Sequence, residues 1–173
     1  MGKKILILVV VILVAVLGTV TFSQKNKPLD KSVVIDKIVV EKSKRNMYVY
    51  SKGELLKIYK ISLGKSPKGD KEYEGDNRTP EGLYFINDKN PNSKFHKNLG
   101  ISYPNKADIE KAKKLGKNPG GQIKIHGLNK KYSWIGKMHL IVNWTAGCIA
   151  VTNKEIDELY NAVPIGTPIE IKK

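Results

Sequence analysis

The chain has one cysteine, Cys148, in 173 residues. A lone thiol cannot close an intramolecular disulfide, and without companions it cannot form a thiolate zinc cluster. Arginine is nearly missing too: of 31 basic residues, Arg45 and Arg78 alone carry a guanidinium. The planar forks that dominate specific base readout are scarce, which argues against nucleic acid as a partner. Acidic residues number 16, leaving a formal net charge of +15. Such a charge draws polyanions. The lysines are spread along the chain rather than gathered in an arm, so the expected anionic partner is an envelope or wall polymer. Lysine-rich background composition is the plain alternative. There is no internal repeat.

Long apolar runs are absent with one exception. Residues 5–22 are uninterrupted by charge, with Lys3 and Lys4 before them and a polar stretch from Ser23 to Pro28 after. At about 1.5 Å per residue this run reaches ~27 Å, enough to cross the hydrocarbon core of a bilayer. The basic flank fits the cytoplasmic side. Thr21-Phe22-Ser23 makes a poor cleavage site, so an uncleaved single-pass anchor is the expectation. The expected division is a cytoplasmic basic flank (1–4), a membrane anchor (5–22), a linker (23–32) and one domain (33–173) facing the periplasm or cell wall. If the segment were cleaved, that domain would be secreted. No cysteine follows the run, which excludes a lipoprotein anchor. An unpaired thiol in an oxidising compartment is either in use or buried as a small hydrophobe.

The rest of the sequence reads mainly as strands. Residues 33–40, 47–50 and 55–63 carry β-branched and aromatic residues and are joined by turn chemistry at Ser51-Lys52-Gly53-Glu54, predicting an antiparallel meander. Further strands are expected at 83–86, 122–126 and 168–171. Residues 106–115 and 153–163 show helical spacing, and Thr152-Asn153-Lys154-Glu155 matches a capping box. Residues 65–80 and 87–98 read as long irregular segments, which in a compact domain are more often functional than linking.

This reading sets Cys148 just before a helix, on a turn eased by Gly147. A helix N-terminus favours negative charge, so the expected thiol pKa lies below the ordinary ~8.5. A nucleophilic thiol also needs a proton acceptor. His96 falls in an unpatterned segment. His126 closes an apolar strand before Gly127, whose carbonyl could fix one tautomer. His139 lies closer in sequence in a less defined setting. Spacing alone does not choose between His126 and His139. Together with Cys148 they would also give a three-ligand metal site, but without the short spacing typical of zinc.

Ile125-His126-Gly127 followed by Thr145-x-Gly147-Cys148-Ile149 resembles the signature of the YkuD-type L,D-transpeptidases, in which a His-Gly pair precedes Ser/Thr-x-Gly-Cys. Leu63-Gly64, Gly75-Asp76 and Thr79-Pro80-Glu81-Gly82-x-Tyr84 look like upstream parts of the same family. The wording of Leu128, Trp134-Ile135-Gly136-Lys137 and Trp144 through Asn153 is similar to a YafK-like branch. The resemblance covers about residues 38–171.

It implies a mainly β, sandwich-type domain with a few short helices, and no metal or organic cofactor. It implies Cys148 as nucleophile, His126 as base and later acid, the Gly127 carbonyl as orienter, backbone N–H groups near Gly147 and Cys148 for the oxyanion, and Thr145 as support. His139 is the alternative base, and the glycine carbonyl beside His126 favours His126. The substrate class implied is the peptidoglycan stem peptide, cleaved before its terminal D-alanine, with 3→3 cross-linking or hydrolysis to follow. The commoner family pattern has arginine where Ala150 stands. Arg78 or a lysine such as Lys137 is the expected substitute, with Arg78 and Trp144 as candidate substrate-binding residues. A noncatalytic wall-binding module, with Cys148 as packing, is the competing class.

Overall fold

Residues 46–50 alternate between half-buried and buried side chains, which sets the side of that strand that faces the core. The structure, a computed structural model, describes residues 27–173, so the anchor expected at 5–22 lies outside the described residues. Among the described residues no helix is long and apolar enough to cross a membrane. Strand β1 (Lys37–Glu41) pairs antiparallel with β2 (Asn46–Ser51), and β2 with β3 (Glu54–Lys60), giving the expected meander. Met47 and Val49 of β2 point into the core while Tyr48 and Tyr50 are half-buried, as period-two side-chain geometry requires.

The segment expected to be irregular at 87–98 is instead mostly strand: β4 (Gly82–Ser93) and β5 (His96–Ile101) form a hairpin. Its Asn, Asp, Lys and Pro content masks the pattern, because much of the outer half of β4 is open to solvent. The chain continues through helix α1 (Lys106–Lys114), strand β6 (Lys124–His126), a 3-10 segment (Lys130–Ile141), strand β7 (Ile149–Ala150), helix α2 (Asn153–Ala162) and strand β8 (Pro168–Lys172). Helix α2 begins as expected, with Thr152 accepting from the Glu155 N–H and Glu155 reaching back to the cap, a reciprocal pairing that satisfies two end donors.

The strands form one sheet in the order β3-β2-β1-β8-β4-β5-β6-β7. The mainly β, sandwich-type domain with a few short helices that was expected is found as a sheet that curls on itself, and β4 is the strand common to both halves, with register shifts at Ile86/Asp88 and Asn90/Ser93. Bulges of this kind bend a strand and increase its twist. Beyond β3, Ser62 exchanges both backbone hydrogen bonds with Ala150, at 2.9 and 2.8 Å. Gly64 forms a parallel bridge with Thr145, whose carbonyl accepts the Lys65 N–H at 2.9 Å and whose N–H donates to the Leu63 carbonyl at 3.2 Å. The first and last strands of the order are thereby joined, and the join falls at the residues flanking Cys148. Ile125, Ile149, Ile156 and Leu159 are fully buried on the inner face; cutting one such side chain to alanine costs about 2–5 kcal/mol.

Candidate active site

Strands β6 and β7 run parallel, with Ile125 opposite Ile149 and His126 opposite Ala150. Since both isoleucines face the core, the alternation puts His126 and Ala150 on the opposite face. Cys148, two residues before Ala150, continues that face. The sheet therefore presents the imidazole and the thiol on one face, with Cys148 two residues before the register partner of His126.

Two glycines make this possible. A Cβ on Gly127 would lie 2.4 Å from Asn153 Oδ1, the atom that accepts the Leu128 N–H at 2.6 Å. Gly147 has φ +132°, and a Cβ there would lie 2.7 Å from the Arg78 carbonyl oxygen. The turn carrying Cys148 thus passes under the segment at residues 77–78 with no room for a side chain.

Thr145 ties the turn together. It is buried, its Oγ1 donates to the Cys148 carbonyl at 2.7 Å, and the same oxygen accepts the Gly147 N–H at 3.1 Å. The overlying loop is held from beneath. Asp76 accepts from the backbone N–H of Glu72, Tyr73 and Arg78 and pairs with Lys71 at 2.8 Å, both side chains being 3% exposed. Burial alone would raise the Asp76 pKa, but Lys71 and the three N–H groups hold it below the usual carboxylate value. Thr79, fully buried, accepts the Gly64 N–H at 3.0 Å. The irregular segment expected at 65–80 is thus an ordered roof over the thiol.

The histidines are distinguished by their partners. His126 Nδ1 lies 2.7 Å from the Gly127 carbonyl. A carbonyl can only accept, so Nδ1 carries the proton and Nε2 of the neutral ring keeps its lone pair. Burial pushes the His126 pKa down, partly offset by this bond, so the ring is a neutral base at neutral pH. Trp144 Nε1 lies 3.3 Å from His139 Nδ1. Indole N–H only donates, so the His139 lone pair is already occupied and its proton sits on Nε2. Burial, with His126 nearby, lowers the His139 pKa to about 4. His139 is therefore a partner of Trp144, while His126 holds the free lone pair. His96 pairs with Asp157 of α2 at 2.9 Å.

Cys148 is not where a helix would act on it. Strand β7 intervenes, and α2 starts at Asn153 with its end donors taken by Thr152 and Glu155. The field of a helix falls off within its first turn. Burial instead pushes the Cys148 thiol above its ordinary value, against opposing pulls from the Lys124 N–H and the charges of Lys124 and Lys71. Its Sγ lies 3.5 Å from the Gln122 carbonyl. The expectation of a preformed thiolate is thereby corrected: the resting group is a thiol, and ionising it requires a base.

The remaining candidates are placed as follows. The Arg78 guanidinium pairs with Glu72 at 2.8 Å and the Asp70 carbonyl at 3.2 Å, within the roof loop. Lys137 is exposed on the 3-10 segment. Trp144 stands edge-on between the imidazoles, with ring centroids 5.7 Å from His126 and 6.0 Å from His139. Beside it lies a cavity of about 470 Å³ lined by Phe95, Leu128, Tyr132, Ile135, His139 and Trp144. Among the described residues no cluster of three or more His, Cys, Asp or Glu side chains could hold a metal.

Two contributors escaped the sequence reading. Phe95 packs on His126 with ring centroids 4.7 Å apart; it fell in a segment with no readable period. Lys71 is a buried lysine in a loop, for which composition gives no signal.

Known proteins share the family and the fold. The family model for YkuD, the L,D-transpeptidase catalytic domain, matches residues 35–171. YafK of Escherichia coli K12, which carries an L,D-transpeptidase name, is 32% identical over 132 residues, covering 73% of this chain and 46% of YafK. The chain thus spans about half the length of that curated relative. The helical cell shape determining protein Pgp2 from Campylobacter jejuni superposes with a TM-score of 0.61 at 27% identity, covering 82% of this chain and 49% of Pgp2. An L,D-transpeptidase from Mycobacterium smegmatis shares the fold at a TM-score of 0.53 and 16% identity, over 79% of this chain and 58% of its own.

Proposed function

The chain belongs to the YkuD family of L,D-transpeptidase catalytic domains, and from that premise we propose that it is a cysteine acyltransferase acting on peptidoglycan stem peptides at the outer face of the cell membrane. The observation that carries the reading is the bond from His126 Nδ1 to the Gly127 carbonyl. It leaves the Nε2 lone pair free on the face that Cys148 shares.

In the proposed reaction His126 Nε2 takes the Cys148 proton as Sγ attacks the carbonyl joining the third stem residue to the terminal D-alanine. A burial-raised thiol makes this proton transfer part of the attack rather than a step completed beforehand. The Gly147 N–H is committed to Thr145 Oγ1, so the Cys148 N–H is the backbone donor assigned to the oxyanion. Collapse of the tetrahedral species returns the proton from Nε2 to the departing amine, D-alanine leaves, and a Cys148 thioester remains. The amine of a second stem's third residue then resolves it, forming a 3→3 cross-link. Water in its place would make the product a tripeptide.

The basic surface fits an anionic wall environment, and the apolar run at 5–22 fits an anchor on the membrane beneath it. The name of Pgp2 speaks of cell shape, a role that cross-linking of this kind would serve. Incubating the protein with a disaccharide tetrapeptide and weighing the products tests the proposal. Cross-linked dimer and free D-alanine are expected; tripeptide without dimer would make the protein a hydrolase, and unchanged substrate would refute the reading.

A further inference from the structure

The face carrying the thiol also carries an unclaimed cation. Strand β5 pairs with β6 so that Gly100 lies opposite Lys124 and Asn98 opposite His126, and Asp88 of β4 lies opposite Gly100. Continued into the turn before β7, the register sets Cys148 beside Lys124, just as Ile149 lies beside Ile125. One row across the sheet therefore reads Asp88, Gly100, Lys124, Cys148. The charge of Lys124 reaches the thiol, as does that of Lys71.

These two lysines differ in what they hold. Lys71 is bound to Asp76 Oδ1 at 2.8 Å and to the Tyr73 carbonyl at 3.0 Å. Among the described residues Lys124 has one carboxylate neighbour, Asp88 on the far side of Gly100, at 3.9 Å. That separation exceeds a hydrogen bond, and Asp88 is more than half exposed, so the pair contributes little. Arg78, the other cation expected near the site, is engaged by Glu72.

We propose that Lys124 is the subsite for the terminal carboxylate of the donor stem, the carboxylate of the residue that leaves when Cys148 is acylated. The proposal rests on the acyltransfer reading above. With the scissile carbonyl at Sγ, that carboxylate lies within one residue of the thiol, since successive Cα atoms are about 3.8 Å apart. A side chain on the neighbouring strand in the same row spans such a gap. A cation there would select a peptide ending one residue after the scissile bond over one that continues, because an internal amide at that point presents no charge. Asp88 would act as a weak competitor that the substrate displaces.

The test compares the disaccharide tetrapeptide with its C-terminal carboxamide. A charge-assisted hydrogen bond predicts that the wild-type protein favours the free carboxylate by roughly 10- to 100-fold in kcat/KM. In Lys124→Met the preference should collapse toward unity, with the loss expressed in KM, while Lys124→Arg keeps most of it. Asp88→Asn should lower KM for the carboxylate substrate. An unchanged preference in Lys124→Met, or a loss falling equally on both substrates, would overturn the subsite and leave the acyltransfer reading standing. Failure of the wild-type protein to act on either substrate would overturn that reading and the subsite with it.

Discussion

Replacing Gly147 by alanine separates two costs that the turn before Cys148 imposes. The first is conformational: φ of +132° is a region that L side chains rarely adopt, at about 1–3 kcal/mol. The second is steric, because the new Cβ would lie 2.7 Å from the Arg78 carbonyl oxygen. That oxygen belongs to a backbone pinned by Asp76 through the Arg78 N–H at 2.9 Å, so it cannot swing aside as a side chain would. Relief requires moving the roof or the turn, and overpacking of this kind adds about 1–3 kcal/mol. Gly75 supplies the control. Its φ is +91°, yet a Cβ there would meet nothing within 4 Å, so Gly75→Ala should carry the conformational cost alone.

Urea unfolding at equal m-value should therefore show Gly147→Ala destabilised by about 2–5 kcal/mol and Gly75→Ala by about 1–3. Turnover should separate them further. A shift of the Cys148 turn by about 1 Å costs on the order of 10²-fold in rate, whereas Gly75→Ala leaves the turn in place. Equal losses of stability in the two variants, or a Gly147→Ala protein of near-normal activity, would refute the close packing of turn and roof.

Three further outcomes follow from the site. His126→Ala should lower kcat by roughly 10²-fold or more, whereas His139→Ala, which removes the partner of Trp144 Nε1, should cost less; steady-state rates in the reverse order would reassign the base. Alkylation of Cys148 by iodoacetamide in the resting protein should rise with pH through an inflection above the ordinary thiol value, because burial favours the neutral form; an inflection below that value would show a preformed thiolate. Both His126 and His139 have folded-state pKa values below the unfolded ~6.5, so the unfolded chain binds more protons in that range. Stability should be full above about pH 6.5 and fall on acidification toward pH 4, with a shallower fall in His139→Gln by chemical denaturation; a slope unchanged by this substitution would contradict the placement of His139.

Much of the fold was readable because strand period and cap chemistry are local. The β1–β3 meander, both helices and the Thr152–Glu155 box depend on residues a few positions apart. The β4–β5 hairpin was lost because its outer residues are polar on both faces, and the curl was lost because the closing bonds join Ser62 to Ala150, 88 positions away by number. At the site, the order of Gly127 after His126 and of Gly147 before Cys148 was legible in sequence. The thiol's electrostatics were not: a two-residue strand separates Cys148 from α2, and burial in the folded chain sets the opposite sign to that inferred from chain proximity. The tautomers of His126 and His139 depend on a carbonyl and an indole that only the folded chain brings to them.

The central claim is that Cys148 is acylated with His126 as the base. An acylating β-lactam of the carbapenem type offers a ring carbonyl in place of the scissile one, and its opening leaves a thioester on the attacking sulfur. Intact-protein mass spectrometry with peptide mapping reads this out. The account predicts one adduct per chain on the segment holding Cys148, slowed in His126→Ala and absent in Cys148→Ala; an adduct on a lysine, or one that persists without Cys148, would contradict it.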